Sequence, residues 1–185
     1  MFKGLYNIFK HWYHGGKIYF YSDPHFDDKN MPRIRANYIT DDEQVKRINS
    51  KVGKCDTIIF LGDIGNVEYI KKIRGYKVLI KGNHDKGSSN YQELFNEIYE
   101  GVLTISNKII LSHEPIENLP EYLINIHGHD HNNNYIDEKH INVCAEYINY
   151  TPVDFSDMMK LSVYKDIESI HRITIDEAIK RKENK

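Results

Sequence analysis

Five short segments of this 185-residue chain together carry four carboxylates, one carboxamide and five imidazoles, and each lies at or just after an apolar run. They read Ser22-Asp23-Pro24-His25, Leu61-Gly62-Asp63, Gly82-Asn83-His84-Asp85, Ser112-His113 and Gly128-His129-Asp130-His131. Five of the chain's ten histidines fall in these segments, so the imidazoles follow predicted strand ends instead of scattering over a surface. In α/β folds, loops converge at the carboxyl ends of strands. Residues as distant in sequence as Asp23 and His131 can therefore meet there.

The remaining pattern supplies such strands. Residues 17–22 form a buried-strand pattern after the Gly15-Gly16 break. Thr40-x-x-Glu43 is a capping box opening a helix over 40–52. Residues 57–61 give a second strand, 66–74 a short helix ended by Gly75, and 77–81 a third strand. Alternation of strand and helix implies a parallel sheet in the first half. The second half has strand patterns at 102–105, 108–111, 123–127 and 139–143, with Asn107 turning the first pair. Helical patterns follow at 155–159 and 174–182, and 180–185 is a charged, fraying end.

Composition narrows the function classes. The net charge is −2 with neutral histidines, which argues against a broad basic footprint for nucleic acid. Cys55 and Cys144 lie outside any C-x-x-C pattern and imply free thiols in a reducing, cytoplasmic setting. No run reaches the ~20 apolar residues of a membrane span. Residues 1–16 place Phe2, Leu5, Tyr6, Phe9, Trp12 and Tyr13 at helical spacing. This stripe is expected to pack on the domain or to form a homodimer seam. The chain thus divides into an N-terminal amphipathic extension, 1–16, and a single domain, 17–185.

Each segment offers defined chemistry. Asp23 and His25 are two residues apart, and in extended chain both point the same way and reach one ion. Asp63 has two oxygens with which to bridge two cations, and Gly62 lets the backbone approach closely. Asn83 offers a neutral carbonyl oxygen. His84 is free to act on a substrate, with Asp85 expected to orient its ring. His113, His129 and His131 add imidazoles, while His127 is assigned to the core. Arg33, Arg35 and Lys86 lie in loops after site segments and are candidate phosphate-binding residues. An oxygen and nitrogen donor set suits Mn, Fe, Zn or Ni, with Mn favoured.

The five blocks in this order resemble the calcineurin-like metallophosphoesterases, with their pattern D-x-H, G-D, G-N-H-[DE], H and G-H-x-H. The likeness spans residues 18–143. The stretch 141–153, ending Tyr150-Thr151-Pro152-Val153, is similar to the end of small bacterial and phage members. Pro24 stands where those members often carry Thr. The resemblance implies a four-layer α/β/β/α sandwich of two mixed sheets flanked by helices. It implies one metal on Asp23, His25, Asp63 and His131, and a second on Asp63, Asn83, His113 and His129. Asp63 would bridge, and His84 would be the catalytic histidine, with Asp85 beside it.

The implied activity is that of a dinuclear metal-dependent phosphoesterase. A hydroxide bridging the two ions would attack in line on a phosphodiester or nucleotide-like substrate. Two other readings compete: a nuclease acting on nucleic-acid ends, and a non-catalytic metal-binding scaffold for protein interaction. The near-neutral charge disfavours nucleic acid, and the intact His84 and ligand set disfavour the scaffold.

Overall fold

Side-chain alternation decides how the first strands are buried. The computed structural model describes residues 15–131, 137 and 139–158. β1 (Ile18–Tyr21), β2 (Thr57–Phe60) and β3 (Tyr76–Ile80) are short and rich in β-branched and aromatic residues, with β1 and β2 buried on both faces. They stack in register as parallel neighbours, with β4 (Glu97–Tyr99) parallel on the far side of β3 and β9 (Val153–Asp154) antiparallel on β1. A second sheet runs β5 (Leu103–Thr104), β6 (Ile109–Leu111), β7 (Ile124–His127) and β8 (His140–Asn142). Here β6, β7 and β8 are parallel and β5 is antiparallel.

The sheets pack face to face. Ile18, Phe20, Ile59, Val78 and Ile80 from the first meet Ile109, Leu111, Ile124 and Ile126 from the second in one buried cluster. The intervening residues Tyr19, Tyr21, Ile58, Phe60 and Leu79 point the other way. There they are covered by Val45 and Ile48 of the helix Asp41–Lys51 and by Ile70 of the 3-10 turn Val67–Lys72. Thr40 caps that helix, its hydroxyl accepting from the Glu43 N–H at 3.3 Å, as the capping box requires. Asn66 caps the 3-10 turn, and Gly75, at φ +88°, ends its connection.

The expected four-layer sandwich does not form. The protein has two mixed sheets with few helices, and its parallel strands stack one on the next in chain order. Among the described residues no helix covers the outer face of the second sheet. The physical reason lies in the residues there. Asn125 and His127 are fully buried on that face, and a polar face takes a loop with hydrogen-bonding backbone better than an apolar helix stripe. Asn125 accepts from the Ile116 N–H at 2.9 Å and donates to Ser112 Oγ at 2.8 Å. His140 Nε2 donates to the Ile116 carbonyl at 2.9 Å.

Smaller differences also appear. The segment 66–74 is a 3-10 turn, and the strands at 97–99 and 153–154 and the short helix Met31–Ile34 have no counterpart in the expected pattern. The C-terminal pattern at 155–159 is realised as the helix Phe155–Met158, which inserts Phe155 and Met158 into the inter-sheet core. The expected helices at 1–16 and 174–182, and the charged end 180–185, lie outside the described residues apart from Gly15 and Gly16. Among the described residues no helix is long and apolar enough to cross a membrane.

The layering sets an order of stability effects. Ile59→Ala removes a fully buried side chain between the sheets and is expected to cost about 2–5 kcal/mol. Thr40→Ala removes only a cap and is expected to cost about 1 kcal/mol. Urea unfolding of the two variants tests this, and equal losses would mean that the inter-sheet core is not the main support.

Candidate metal centre

All five sequence segments emerge from the carboxyl ends of parallel strands. Asp23 and His25 follow β1, Asp63 follows β2, Asn83 and His84 follow β3, His113 follows β6, and His129 and His131 follow β7. The two sheets are stitched together at this end. Ser22 N–H donates to the Val143 carbonyl and Ala145 N–H to the Ser22 carbonyl, both at 3.0 Å. Tight turns then aim the side chains. Asp23, His25, Asp63 and His129 all have φ between +46° and +68°, a region that non-glycine residues enter mainly where surrounding structure forces them. The Asp23-Pro24-His25 stretch is therefore turned, not extended as the i, i+2 argument assumed, yet both side chains still reach the same space.

The seven expected ligand residues come together. His25 Nε2 lies 3.7 Å from Asp23 Oδ1, 3.5 Å from Asp63 Oδ2 and 3.3 Å from His131 Nε2. His131 Nε2 is 3.6 Å from Asp23 Oδ1. On the other side, His113 Nε2 lies 3.5 Å from the same Asp63 Oδ2, 2.8 Å from Asn83 Oδ1 and 3.1 Å from His129 Nδ1. Among the described residues two groups form from them, Asp23-His25-His131 and Asp63-His113-His129, each close enough to hold an ion, and His131 also forms a third with Cys144 and Glu146. Asp63 Oδ2 stands between the first two.

The arrangement of protons favours a cation. Asp23 Oδ2 accepts from Ser22 Oγ at 2.5 Å, from the His129 N–H at 2.8 Å and from the Cys144 thiol at 3.2 Å. Its Oδ1 is buried and has no hydrogen-bond partner. His113 Nδ1 is 2.7 Å from the Leu61 carbonyl, which can only accept, so the proton is on Nδ1 and Nε2 presents a lone pair. That lone pair faces the carbonyl oxygen of Asn83. His113 Nε2, Asn83 Oδ1 and Asp63 Oδ2 thus lie close together, an arrangement that a positive ion would satisfy. Burial alone would raise the Asp23 carboxyl pKa, but His25, His113, Ser22 and His131 outweigh it and hold the group below the ordinary range. Burial likewise opposes protonation of His131, and its Glu146 hydrogen bond together with the Asp23 and Glu146 charges raises the pKa nonetheless.

The other expected residues divide. His84 is exposed at the rim, its ring 5.8 Å from that of His25 and its N–H donating to Asp63 Oδ1 at 3.0 Å. Asp85 does not orient the His84 ring. Its Oδ2 accepts from Asp63 N–H and Gly82 N–H, and its Oδ1 from Ile64 N–H and the Tyr91 hydroxyl, at 2.8–3.1 Å. With four donors on two oxygens, Asp85 clamps the Asp63 loop to the Asn83 loop. Desolvation and the Asp85 charge push the Tyr91 hydroxyl up to about 12, so it remains a donor. Arg33 is exposed on the short helix, and Lys86 borders a cleft of about 740 Å³ that His84, Asp28 and Tyr91 also line. Arg35 is buried, paired with Glu146 and donating to the Asp23 and Pro24 carbonyls, so it faces the protein interior and not a substrate.

Two residues that belong to the centre had no place in the sequence argument. Glu146 accepts from His131 Nδ1 at 2.5 Å, and Cys144 holds Asp23 from behind. Burial pushes the Cys144 thiol well up, keeping it a protonated donor. Both follow β8, so the strand-end rule that picked out the other five segments would have found them.

No family model matches this chain. It is similar to the uncharacterised protein MJ1445 of Methanocaldococcus jannaschii, with 32% identity over 171 residues, 78% of this chain and 90% of that protein. Among solved structures it resembles the protein of unknown function AQ665 from Aquifex aeolicus, at 28% identity and TM-score 0.64, over 79% of this chain and 99% of that one. A fainter likeness, 16% identity and TM-score 0.41 over 63% of this chain and 61% of that one, is to the Pseudomonas putida nuclease MPE.

The clamp role of Asp85 has a direct consequence. Asp85→Ala strips partners from three backbone N–H groups, and unmet buried groups cost roughly 1–3 kcal/mol each. Thermal unfolding in the presence of chelator is expected to show a clear loss of stability. An unchanged midpoint, with only turnover affected, would restore a ring-orienting role.

Proposed function

This chain belongs to one family with MJ1445 of Methanocaldococcus jannaschii, and from the geometry of its centre we propose that it is a metal-dependent phosphoric ester hydrolase with two divalent ions. The observation that carries this reading is the position of Asp63 Oδ2, 3.5 Å from both His25 Nε2 and His113 Nε2, beside the unpartnered Asp23 Oδ1. One ion is assigned to Asp23, His25, Asp63 and His131, the other to Asp63, Asn83, His113 and His129. Two divalent ions over two carboxylates leave the centre positive, which suits an anionic phosphate. The five-segment pattern shared with calcineurin-like metallophosphoesterases supports the chemistry, although the layer architecture does not repeat theirs.

Bound there, such ions would supply positive charge for phosphoryl oxygens and would lower the pKa of a bound water towards neutrality. The protein's own groups do the rest. Asp23, His25, His113 and the other ligands fix the phosphoryl position, because their loops are pinned by the bridge at Ser22 and by the Asp85 clamp. His84, exposed at the rim, is placed to give a proton or hydrogen bond to the leaving oxygen. Lys86, beside His84 on the large cleft, and Arg33 are the candidate contacts for substrate oxygens. A second cleft of about 440 Å³ opens past Asn83 and His113, lined also by Val102, Pro115 and Ile116. Clefts adjoining both Asn83 and His84 give room for a substituent on each side of a phosphate. This favours a phosphodiester or nucleotide-like substrate, and manganese as the ion.

A screen of the metal-reconstituted full chain against phosphomonoesters, phosphodiesters, cyclic nucleotides and short nucleic acids tests the reading. Hydrolysis of none of them with Mn, Fe, Zn or Ni would sink it. Metal analysis is expected to give about two ions per chain, because the seven ligands form two sets sharing Asp63. Asp63→Asn should weaken both sites together, and saturation at one ion in the wild type would overturn the dinuclear assignment. His84→Ala is expected to keep both ions while turnover falls by ~10²–10⁴-fold. Near-normal turnover on a substrate with a poor leaving group would remove His84 from the chemistry.

A further inference from the structure

The back of the centre contains a buried ion pair that the proposed chemistry does not use. Arg35 Nε lies 3.0 Å from Glu146 Oε2, and both side chains are nearly inaccessible, at 1% and 8% exposure. The other Glu146 oxygen accepts from His131 Nδ1 at 2.5 Å. The same Arg35 guanidinium donates to the carbonyls of Asp23 and Pro24. Tyr147, next to Glu146, donates its hydroxyl to the His131 carbonyl at 2.6 Å. One charged unit therefore touches both the loop that carries Asp23 and His25 and the ring of His131.

We propose that Glu146, held by Arg35, is a positioning residue that fixes the tautomer and ring direction of His131 and thereby sets the affinity of one metal site and not the other. An ionised carboxylate can only accept, so Nδ1 keeps the proton and the Nε2 lone pair is left facing Asp23 Oδ1 and His25. Charge on the acceptor makes the imidazole a stronger donor to a cation. The second site lacks this device at its corresponding ring, because His113 Nδ1 donates to the neutral Leu61 carbonyl. Glu146 Oε1 is taken by His131 Nδ1 and Oε2 faces the Arg35 guanidinium as an ion pair, so the carboxylate stands behind the His131 ring. The pair is also costly to bury and worth little for stability alone, which fits a role in fixing geometry. The metal arm of this inference rests on the proposed dinuclear reading.

The test uses the full chain and Mn²⁺ alone as probe. Glu146→Ala is expected to weaken one of two Mn²⁺ equivalents by ~10–100-fold and to leave the other unchanged. Glu146→Gln, whose amide oxygen still accepts from Nδ1, is expected to recover part of that loss. Should Glu146→Ala fail to fold in chelator, Glu146→Gln carries the comparison, with one weakened equivalent expected. Equal weakening of both equivalents, or of neither, overturns the proposal. A second readout needs no metal: nitrogen-15 spectra of the imidazoles should show His131 protonated at Nδ1 in the wild type and a tautomer mixture in the alanine variant. An unaltered tautomer also overturns it. Failure of the wild type to take up Mn²⁺ would instead strike the dinuclear reading, and the tautomer readout would still decide what Glu146 does.

Discussion

The backbone bridge between Ser22 and Cys144 is the contact on which the centre depends. Two 3.0 Å hydrogen bonds join the end of β1 to the residues after β8, and so weld the two sheets at one edge. Asp23 comes next on one strand and Glu146 follows closely on the other, which places a ligand and its support side by side. The weld also lets the β7 loop close over β1, where the His129 N–H donates to Asp23 Oδ2 and the Gly128 N–H to the His113 carbonyl. Sheets that merely packed face to face could slide by a residue. Sheets joined by directional bonds cannot, and metal ligation requires side chains fixed to fractions of an ångström.

Close approach follows from that weld and explains the glycines before the ligands. A Cβ at Gly128 would sit 1.9 Å from Ser22 Oγ, and one at Gly82 would sit 2.2 Å from Asp63 Oδ1. In the three segments that contain one, Gly62, Gly82 and Gly128 make room for His113, Asp63 and Asp23 of neighbouring segments, so those motifs describe contacts between loops as much as chemistry within them. The left-handed turns at Asp23, His25, Asp63 and His129 work against folding, at of order 1–3 kcal/mol each where strained. They persist because the hydrogen bonds around Asp23 and Asp85 over-determine the loops. Strain concentrated on residues with donor atoms is what a centre built for binding, and not for stability, is expected to show.

How legible this was in the sequence depended on whether a feature is local. The strands at 57–60 and 76–80 and the capped helix Asp41–Lys51 were readable, because periodicity and capping act within a few residues. That the seven candidate ligand residues would meet was readable because type and spacing repeat at strand ends. The strands at 97–99 and 153–154 are three and two residues long, too short for a period, and exist through pairing with β3 and β1. Arg35 looked like a phosphate hook because nothing near it in sequence neutralises it, and its partner Glu146 comes from the far end of the second sheet. Asp85 adjoins His84, which suggested a dyad, but the N–H groups of Asp63 and Ile64 compete for its oxygens and win. The missing outer layer was hidden similarly, since Asn125 and His127 in a buried strand reveal a loop-covered face only once their partners are known.

Exposure divides the centre into a closed side and an open one. Asp23, His25, Asp63 and His113 are buried, backed by Ser22, Cys144, Arg35 and Glu146. Asn83 and His84 are exposed, and the two clefts adjoin them. The loop after β3, the one that Asp85 clamps to Asp63, therefore forms an exposed part of the rim, with His129 and His131 half-buried. That loop carries Asn83 and His84 at the mouth, while Asp23 and Asp63 lie buried on the floor. Charges of both signs line the approach, Asp28 beside Lys86 in the larger cleft and Glu114 beside Lys81 in the smaller one. Asp23 and Asp63 follow β1 and β2, and Asn83 follows β3; because the sheet places those strand ends side by side, the donor atoms of three loops converge on one floor.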